Sequence, residues 1–472
     1  MNRDLPITLP VAVVGAGPIG LAAAAHLLER GFAPIVFEAG PSPASHLESY
    51  RHVQLFSPWR YNVDPAARRL LLAAGWNEPR PDELPTAGAV IDDYLSPLAT
   101  LPALRSALRL SHRVTGISRE GFDKAKSRGR DEAPFVIRCD TTEGPVEFRA
   151  WAVLDASGTW GTPNPLGANG LPAIGELEAG GRIFYGMPDI LGRLRARYAG
   201  KRVLVAGGGH SAAGALLALA TLAEQERSTR IAWTIRGNDF ARIFGGGEND
   251  GLVARGALGR RLKALADSGK LEMHAEFRTT SVLSDGPRLS VEGRGPDGAA
   301  RRITDIDEII VAAGGRPDLA ITSELRLKLD HWIESTEQLA PLIDPNVHSC
   351  GTVRPHGHRE LQHPEPRFYA VGAKSYGRAP NFLLATGHEQ VRSVVAALAN
   401  DFAAADDVLL ELPATGVCSA PKETAAEASC CGGPPTRRAD ACCVLDEQKK
   451  DEGKSGCGCS TKKPSLPPVV RL

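Results

Sequence analysis

Two glycine-rich turns have the residue types and the spacing that bind a dinucleotide. The first, Gly15-Ala16-Gly17-Pro18-Ile19-Gly20, follows a short apolar run and precedes an alanine-rich stretch with helical patterning. In such a turn, Gly15 allows the tight bend, Gly17 lets the backbone approach a pyrophosphate, and Gly20 lets the helix pack closely on the sheet. The N–H groups at the start of that helix have no partner within the helix and attract phosphate. The turn therefore predicts a nucleotide-binding site.

The second turn, Gly207-Gly208-Gly209-His210-Ser211-Ala212, repeats this arrangement after an apolar run at residues 201–206. Gly207 and Gly209 take the first two glycine roles, and Ala212 takes the third because a methyl group still permits close packing. Two dinucleotide sites in one chain are what a hydride relay from a nicotinamide to a flavin requires.

The residue that ends the next strand distinguishes the two units. Glu38 ends the strand-like run 34–37, where its carboxylate is predicted to accept hydrogen bonds from a ribose diol. Arg236 ends the corresponding run in the second unit. A guanidinium pairs with the 2′-phosphate of NADPH, which a carboxylate would repel. We therefore predict NADPH rather than NADH at the second site; a surface arginine without a ligand is the alternative.

The patterning around these turns predicts an α/β fold with two Rossmann-like dinucleotide-binding domains. Apolar runs that stop at glycine flank the second unit at residues 152–158 and 308–315, as expected when one domain is inserted into another. The predicted boundaries are 1–165 and 306–412 for the two parts of the first domain, 166–305 for the inserted domain, and 413–472 for a disordered, cysteine-rich tail.

Charge and hydropathy exclude several classes of partner. The 472 residues include 55 basic and 55 acidic ones, so no overall field attracts nucleic acid or an anionic membrane. No apolar stretch approaches the roughly 18 residues that a membrane span requires. The sequence predicts a cytoplasmic enzyme that acts on a small molecule, and it leaves a homodimer open.

Cysteines are concentrated in the tail. Of nine cysteines, two, Cys139 and Cys350, precede residue 400, and the others lie between residues 418 and 459. The tail also lacks histidine, and thiolates without imidazole favour soft ions such as arsenite, antimonite, mercury or copper(I). A soft metal or metalloid site is therefore predicted, with incidental cysteines in a disordered segment as the alternative. Its ligands would be three close pairs: Cys430 and Cys431, Cys442 and Cys443, and Cys457 and Cys459.

Residues 11–400 resemble the superfamily of flavin-containing monooxygenases and thioredoxin-reductase-like flavoproteins, most closely its monooxygenase branch. The likeness rests on Phe184-Tyr185-Gly186 ahead of the second turn, on the glycine-proline segment 156–163, and on Leu55-Phe56-Ser57-Pro58-Trp59-Arg60-Tyr61-Asn62. It implies FAD at the first turn and NADPH at the second. It adds further cofactor-binding residues, namely Ser157, Gly158, His210, Ser211, Gly314 and Gly372. Lys374 is predicted to contact the cofactor because it lies in the loop before the last helix, whose N-terminus can point at the flavin.

The same resemblance places Trp59, Arg60 and Asn62 near the flavin ring as pocket candidates, with an ordinary aromatic loop as the alternative reading. No catalytic residue is assigned. The chain departs from the monooxygenase fingerprint at Ile190 and Leu194, where that pattern has a histidine and an aromatic residue.

Two further departures concern the reductase branch. Gly372-Ala373 stands where that branch has a glycine-aspartate pair, and the body contains no CxxC motif of the kind that disulfide reductases use. His356, His358 and His363, with Cys350, match no standard zinc spacing.

Three functions are compatible with these patterns. The leading one is an NADPH-dependent, FAD-containing, monooxygenase-like oxidoreductase. A flavoprotein reductase of a thiol-bound metalloid or disulfide is the second, and a thiol-tail metal-binding module on a flavoprotein scaffold is the third. Cysteine-tailed flavoproteins of this type resemble those associated with arsenic resistance, which implies a role in metalloid detoxification.

Overall fold

The computed structural model describes residues 9–238, 240–245, 253–346, 353, 355–380 and 382–410. Cys350 and every cysteine of the predicted metal site lie outside these residues, as does the predicted tail domain.

The described chain contains both strands and helices. The strands are β1 Val11–Val14, β2 Pro34–Phe37, β3 Leu108–Arg109, β4 Arg113–Arg119, β5 Phe135–Thr141, β6 Gly144–Ala150, β7 Ala152–Asp155, β8 Ile183–Tyr185, β9 Arg202–Ala206, β10 Arg230–Thr234, β11 Glu272–His274, β12 Arg278–Asp285, β13 Arg288–Arg294, β14 Ala300–Ile306, β15 Glu308–Val311 and β16 Phe368–Ala370. The helices are α1 Pro18–Glu29, α2 Ser45–Glu48, α3 Pro65–Ala73, α4 Ala87–Ala89, α5 Ser96–Thr100, α6 Pro102–Ala107, α7 Arg195–Tyr198, α8 His210–Gln225, α9 Phe240–Phe244, α10 Val253–Asp267, α11 Ala340–Ile343, α12 His358–Leu361, α13 Leu384–Leu398 and α14 Phe402–Asp406.

Two five-stranded parallel sheets form the framework. The first has the order β16-β7-β1-β2-β3 and the second β11-β10-β9-β15-β8. All four residues of β1 are buried, as expected for a parallel strand that is covered on both faces. Two three-stranded antiparallel sheets, β4-β5-β6 and β12-β13-β14, complete the strands. We call the two parallel sheets with their helices the first and second units.

The second unit extends further along the chain than predicted. β15 pairs with both β8 and β9, with Ile309 opposite Ile183 and Leu204. The structure therefore moves the boundary that was predicted between residues 305 and 306 to a position after β15. The apolar run of β15 gave no sign of which of the two parallel sheets it would join.

Two chain segments connect the units, and they run side by side. Pro163 forms an antiparallel bridge with Gly315. The Asn164 N–H donates to the Gly314 carbonyl at 2.9 Å, and the Arg316 N–H donates to the Thr162 carbonyl at 2.9 Å. We call residues 162–164 and 314–316 the linking segments. Among the described helices, none is long and apolar enough to cross a membrane.

Candidate functional site

The first glycine turn joins β1 to α1 and leaves no space for side chains at two of its glycines. Gly15 has φ +96°, and a Cβ there would lie 2.8 Å from the Ala156 carbonyl oxygen. A Cβ at Gly20 would lie 1.8 Å from the Gly15 carbonyl oxygen. These two positions thus have the roles that the sequence assigns to them, namely the bend and the close helix packing.

Gly17 differs from both, because a Cβ there would have no atom within 4 Å. α1 begins at Pro18, its first turn contains no acidic residue, and no side chain caps it. The space beside Gly17 can therefore admit a phosphate at the start of α1, although Pro18, Ile19 and Gly20 are themselves buried.

Glu38 lies directly after β2 and is fixed beside this turn. Its side chain is buried, with Oε2 accepting from the Ala16 N–H at 2.9 Å and Oε1 from the Gly40 N–H at 2.8 Å. A carboxylate offers about four acceptor positions, so these two bonds leave capacity for a ribose diol.

A buried ion pair lies at the same edge of the first sheet. Lys374 Nζ is 2.6 Å from Oδ2 of Asp155, the last residue of β7, and 3.0 Å from Ser157 Oγ. Gly158 and Gly372 follow in the left-handed region, each with φ +69°. Four predicted cofactor residues, Ser157, Gly158, Gly372 and Lys374, therefore lie at this edge, although their separation in the sequence is large. The sequence analysis did not identify Asp155 as a site residue. The available signal was an acidic residue at the end of an apolar run, which is also the position of Glu38.

The second turn joins β9 to α8 and follows the same plan. Gly207 has φ +140°, and a Cβ there would lie 2.3 Å from the Ala312 carbonyl oxygen. A Cβ at Gly209 would meet nothing within 4 Å. Ala212 is fully buried where the first unit has Gly20. α8 begins at His210, followed by Ser211, with no side-chain cap and no acid in its first turn.

Arg236 is exposed at the end of β10, with Nη1 3.5 Å from the Ala168 carbonyl. The strand registers pair Val14 with Phe37 and Ala206 with Thr234. The second-unit equivalent of Glu38 is therefore Ile235, and Arg236 lies one residue further than the sequence comparison placed it. Its guanidinium remains accessible to a phosphate.

Gly314, another predicted cofactor residue, lies in the second linking segment with φ +80°. A Cβ there would approach only the Asn164 side chain, at 3.6 Å. Gly314 lies two residues after Ala312, whose carbonyl oxygen lies close to Gly207 of the second turn.

The three pocket candidates are separated. Asn62 is buried and donates from Nδ2 to the carbonyls of Ser57 and Pro58, so it maintains the loop itself. Trp59 and Arg60 line a cleft of about 340 Å³, where Arg60 pairs with Asp82. The other residues that line it are Val63, Pro65, Arg68, Arg69, Glu78, Pro79 and Pro81.

This cleft lies at the far end of α1 from the glycine turn. Arg69, which lines it, pairs with Glu29, the last residue of α1, at 2.7 Å. Twelve helical residues span about 18 Å, so Trp59 and Arg60 are remote from the turn that would hold a pyrophosphate.

Another part of the same loop reaches the second unit. The Phe56 ring lies 5.3 Å from the ring of His210 at the start of α8. The Tyr50 ring lies 4.5 Å from Trp160, and a Cβ at Gly186 would be 3.2 Å from Trp160. Burial raises the pKa of Tyr50 to about 12, so its hydroxyl stays protonated. The segment that contains Tyr50 and Phe56 therefore brings the two units into contact.

Neither a metal cluster nor a reactive thiol occurs among the described residues. They contain no group of three or more His, Cys, Asp or Glu side chains arranged to bind a metal. His356 contacts Gln390 at 2.9 Å and His358 contacts Asp406 at 2.9 Å, so these histidines have separate roles. Cys139 is buried in β5, and burial raises the pKa of its thiol to about 12.

Comparisons with known proteins agree with this architecture. A family model described as an NAD(P)-binding Rossmann-like domain matches residues 13–73. No curated protein matches the chain in sequence.

Several solved structures share its fold. Bacillithiol disulfide reductase from Bacillus cereus aligns with a TM-score of 0.61 at 17% identity, over 83% of this chain and 99% of that chain. The ornithine N-hydroxylase of Kutzneria sp. 744 aligns with a TM-score of 0.55 at 16% identity, over 83% of this chain and 99% of that one. Thioredoxin reductase from T. acidophilum aligns with a TM-score of 0.50 at 16% identity, over 83% of this chain and 98% of that chain. The predicted fold is confirmed: the chain has the two-dinucleotide-binding flavoprotein fold.

Proposed function

We propose that this protein is an NADPH-dependent FAD oxidoreductase, with FAD at the first turn and NADPH at the second. The observation that supports it best is the presence of two helix N-termini, preceded by Gly17 and Gly209, that both lack a side-chain cap and an acidic residue in the first turn and both lie at the carboxyl edge of a parallel sheet. Ligands of open α/β sheets bind at that edge. The contact between Phe56 and His210 joins the two edges.

The residues of each unit fit the cofactor assigned to it. At the first, the α1 N-terminus binds the pyrophosphate and Glu38 accepts from the ribose, while the loops after β7 and β16 enclose the remainder. At the second, the α8 N-terminus binds the pyrophosphate and Arg236 binds the 2′-phosphate. FAD, when bound, accepts a hydride and passes electrons to the substrate. The chain's own contribution is to bind, to orient and to exclude water.

For the finer reaction we propose monooxygenase-like chemistry. Cys139 is the only cysteine among the described residues, and it is buried and protonated at neutral pH. A dithiol reductase needs accessible thiols of low pKa beside the flavin. One of the aligned structures is a hydroxylase.

A reductase that receives its substrate from the cysteine tail is the second candidate. It is favoured by the six paired cysteines between residues 430 and 459, and by the alignment with two reductases. Detoxification of arsenic in the cytoplasm is the biological setting that we propose for either reaction.

NADPH oxidation by the FAD-loaded protein tests these assignments, with an oxygen electrode run in parallel, with and without arsenite or a methylated arsenical. Oxygen uptake that a substrate stimulates, without matching free peroxide, supports the monooxygenase. Oxidation that persists without oxygen, and only with the metalloid and an intact tail, supports the reductase. A chain truncated after residue 412 is the matched control. Protein that retains no flavin, or that oxidises no NADPH under any of these conditions, overturns the proposal.

A further inference from the structure

The Asp155–Lys374 pair is more deeply buried than an ordinary surface ion pair. The Lys374 side chain is 2% exposed and that of Asp155 is 0% exposed. Removing two charges from water is costly unless their geometry and hydrogen bonding are well satisfied. Here Asp155 Oδ1 accepts from both the Ser157 N–H, at 3.1 Å, and the Ser157 hydroxyl, at 2.6 Å. Asp155 Oδ2 accepts no hydrogen bond from the described residues and has the Lys374 ammonium, 2.6 Å away, as its ionic partner, so the carboxylate depends on Lys374 for its charge balance.

The pair joins two loops that both touch the first glycine turn. The loop after β7 reaches it through the Ala156 carbonyl, which leaves no room for a Cβ at Gly15. The loop after β16 reaches it through Gly372, where a Cβ would lie 3.1 Å from the Ile19 side chain of α1. Lys374 belongs to the second loop and Asp155 ends the strand that leads into the first.

α13 fixes the second loop from its other side. The Gly372 N–H donates to Gln390 Oε1 at 2.8 Å, and Gln390 Nε2 donates to Ser375 Oγ at 2.9 Å. Gln390 is itself fully buried. The loop is thus held between an ion pair and a buried amide, with Ala373 at its start and no carboxylate of its own between Gly372 and Tyr376.

We propose that Asp155 and Lys374 are positioning residues for FAD. They set the spacing of the two loops around the first turn, and they keep this edge electrically neutral beside the phosphates and the reduced flavin. The neutrality matters because a lone buried carboxylate would repel both. This inference rests on the proposed FAD site. It goes beyond that proposal by naming the ion pair that sets the affinity for FAD and its midpoint potential.

Charge balance predicts opposite effects for the two partners. Lys374→Met leaves the Asp155 carboxylate unpaired, so the protein should bind FAD at least tenfold more weakly and should disfavour the reduced form. A tenfold preference against reduced FAD lowers the midpoint potential by about 30 mV. Asp155→Asn retains an acceptor for Ser157 and leaves no negative charge, so its midpoint potential should stay the same or rise. The Asp155→Asn, Lys374→Met double variant should recover most of the affinity that Lys374→Met loses.

A second buried ionic network provides the matched control. Glu365 pairs with Arg119 at 2.8 Å and with Arg130 at 2.7 Å, and all three side chains are 0% exposed. Arg130→Met also leaves a buried carboxylate with one partner removed, but at the β4-β5-β6 sheet. It should lower the melting temperature without changing FAD affinity or midpoint potential.

The experiment measures FAD dissociation constants by flavin fluorescence, midpoint potentials by dye equilibration, and melting temperatures of the FAD-free proteins. Potentials that fall in both single variants, or a double variant as weak as Lys374→Met, overturn the inference. So does a Lys374→Met protein with wild-type affinity and potential. A wild-type protein that binds no FAD overturns the proposed function instead.

Discussion

The two glycine turns share a spacing but differ in their surroundings. Ten of the 12 residues of α1 are buried, whereas six of the 16 residues of α8 are. Loops after β7 and β16 both touch the first turn, through Ala156 and Gly372. The second turn is followed by the exposed His210 and lies in the unit that contains the exposed Arg236.

This difference suits the two proposed ligands. A cofactor that remains bound through many turnovers gains from enclosure, because each surrounding loop adds contacts and excludes water. A cosubstrate must enter and leave in every cycle, so an exposed helix start and a surface arginine are sufficient. On the proposed assignment, the same motif holds a retained ligand in the first unit and an exchanged ligand in the second.

The largest effect is expected from Gly20→Ala. The added Cβ would lie 1.8 Å from the Gly15 carbonyl oxygen, and backbone must move to admit it. We expect a loss of more than about 3 kcal/mol in the free energy of unfolding, together with loss of bound FAD. Urea titration measures it. Gly214→Ala in α8 is the control, since a Cβ there meets nothing within 4 Å, and it should stabilise the helix by up to about 1 kcal/mol. Equal stability of the two variants would contradict the enclosure of the first turn.

Acid should destabilise the protein through a buried histidine of the first unit. His363 lines a small cavity with Asp155 and Lys374, and burial lowers its pKa from 6.5 to about 4. Between those values the unfolded chain takes up a proton that the folded chain refuses, so stability falls as the pH falls. The free energy of unfolding falls by about 3 kcal/mol at most through this histidine. His363→Gln should remove the part of the pH dependence that His363 causes. Urea unfolding midpoints of the variant and the wild type at pH 7.5, 5.5 and 4.5 measure it. Parallel pH profiles for the two proteins would count against it.

Arg236→Ala should affect only the second unit. Loss of a charge-assisted bond to the 2′-phosphate should raise the KM for NADPH by about 10- to 100-fold and leave that for NADH unchanged. Arg230→Ala, on the same strand, is the control, because the Arg230 side chain donates to the Arg227 and Thr229 carbonyls instead. Steady-state kinetics with NADPH and with NADH measures both KM values. Equal changes in the two KM values would contradict the assignment of Arg236 to the 2′-phosphate.

The smallest effect is expected from Ala212→Gly, which restores the glycine that the second turn lacks. Ala212 is buried without conflict, so the change should cost about 0.5 to 1 kcal/mol through helix propensity and leave NADPH binding intact. Tighter nucleotide binding would indicate that the second turn is also constrained at this position.

Much of this fold could be predicted from the sequence, because each βαβ unit is encoded by residues close together in the chain. Gly15, Gly20 and Glu38 reveal the first unit through short-range spacing alone. The pairing of Asp155 with Lys374 could not be predicted, since only the tertiary fold brings them together. β15 was placed in the wrong sheet for the same reason: four apolar residues specify a strand but not its neighbours. For Arg236, β10 ends at Thr234, one residue before the end of the apolar run, and the spacing from the turn does not reveal where the strand stops.

The linking segments have a mechanical consequence. Because residues 162–164 and 314–316 are hydrogen-bonded to each other, the two crossings behave as one ribbon. A paired ribbon bends across its thin direction more easily than it shears or stretches. Any rotation of one unit against the other would therefore bend both crossings together, which restricts the directions in which the second unit can move.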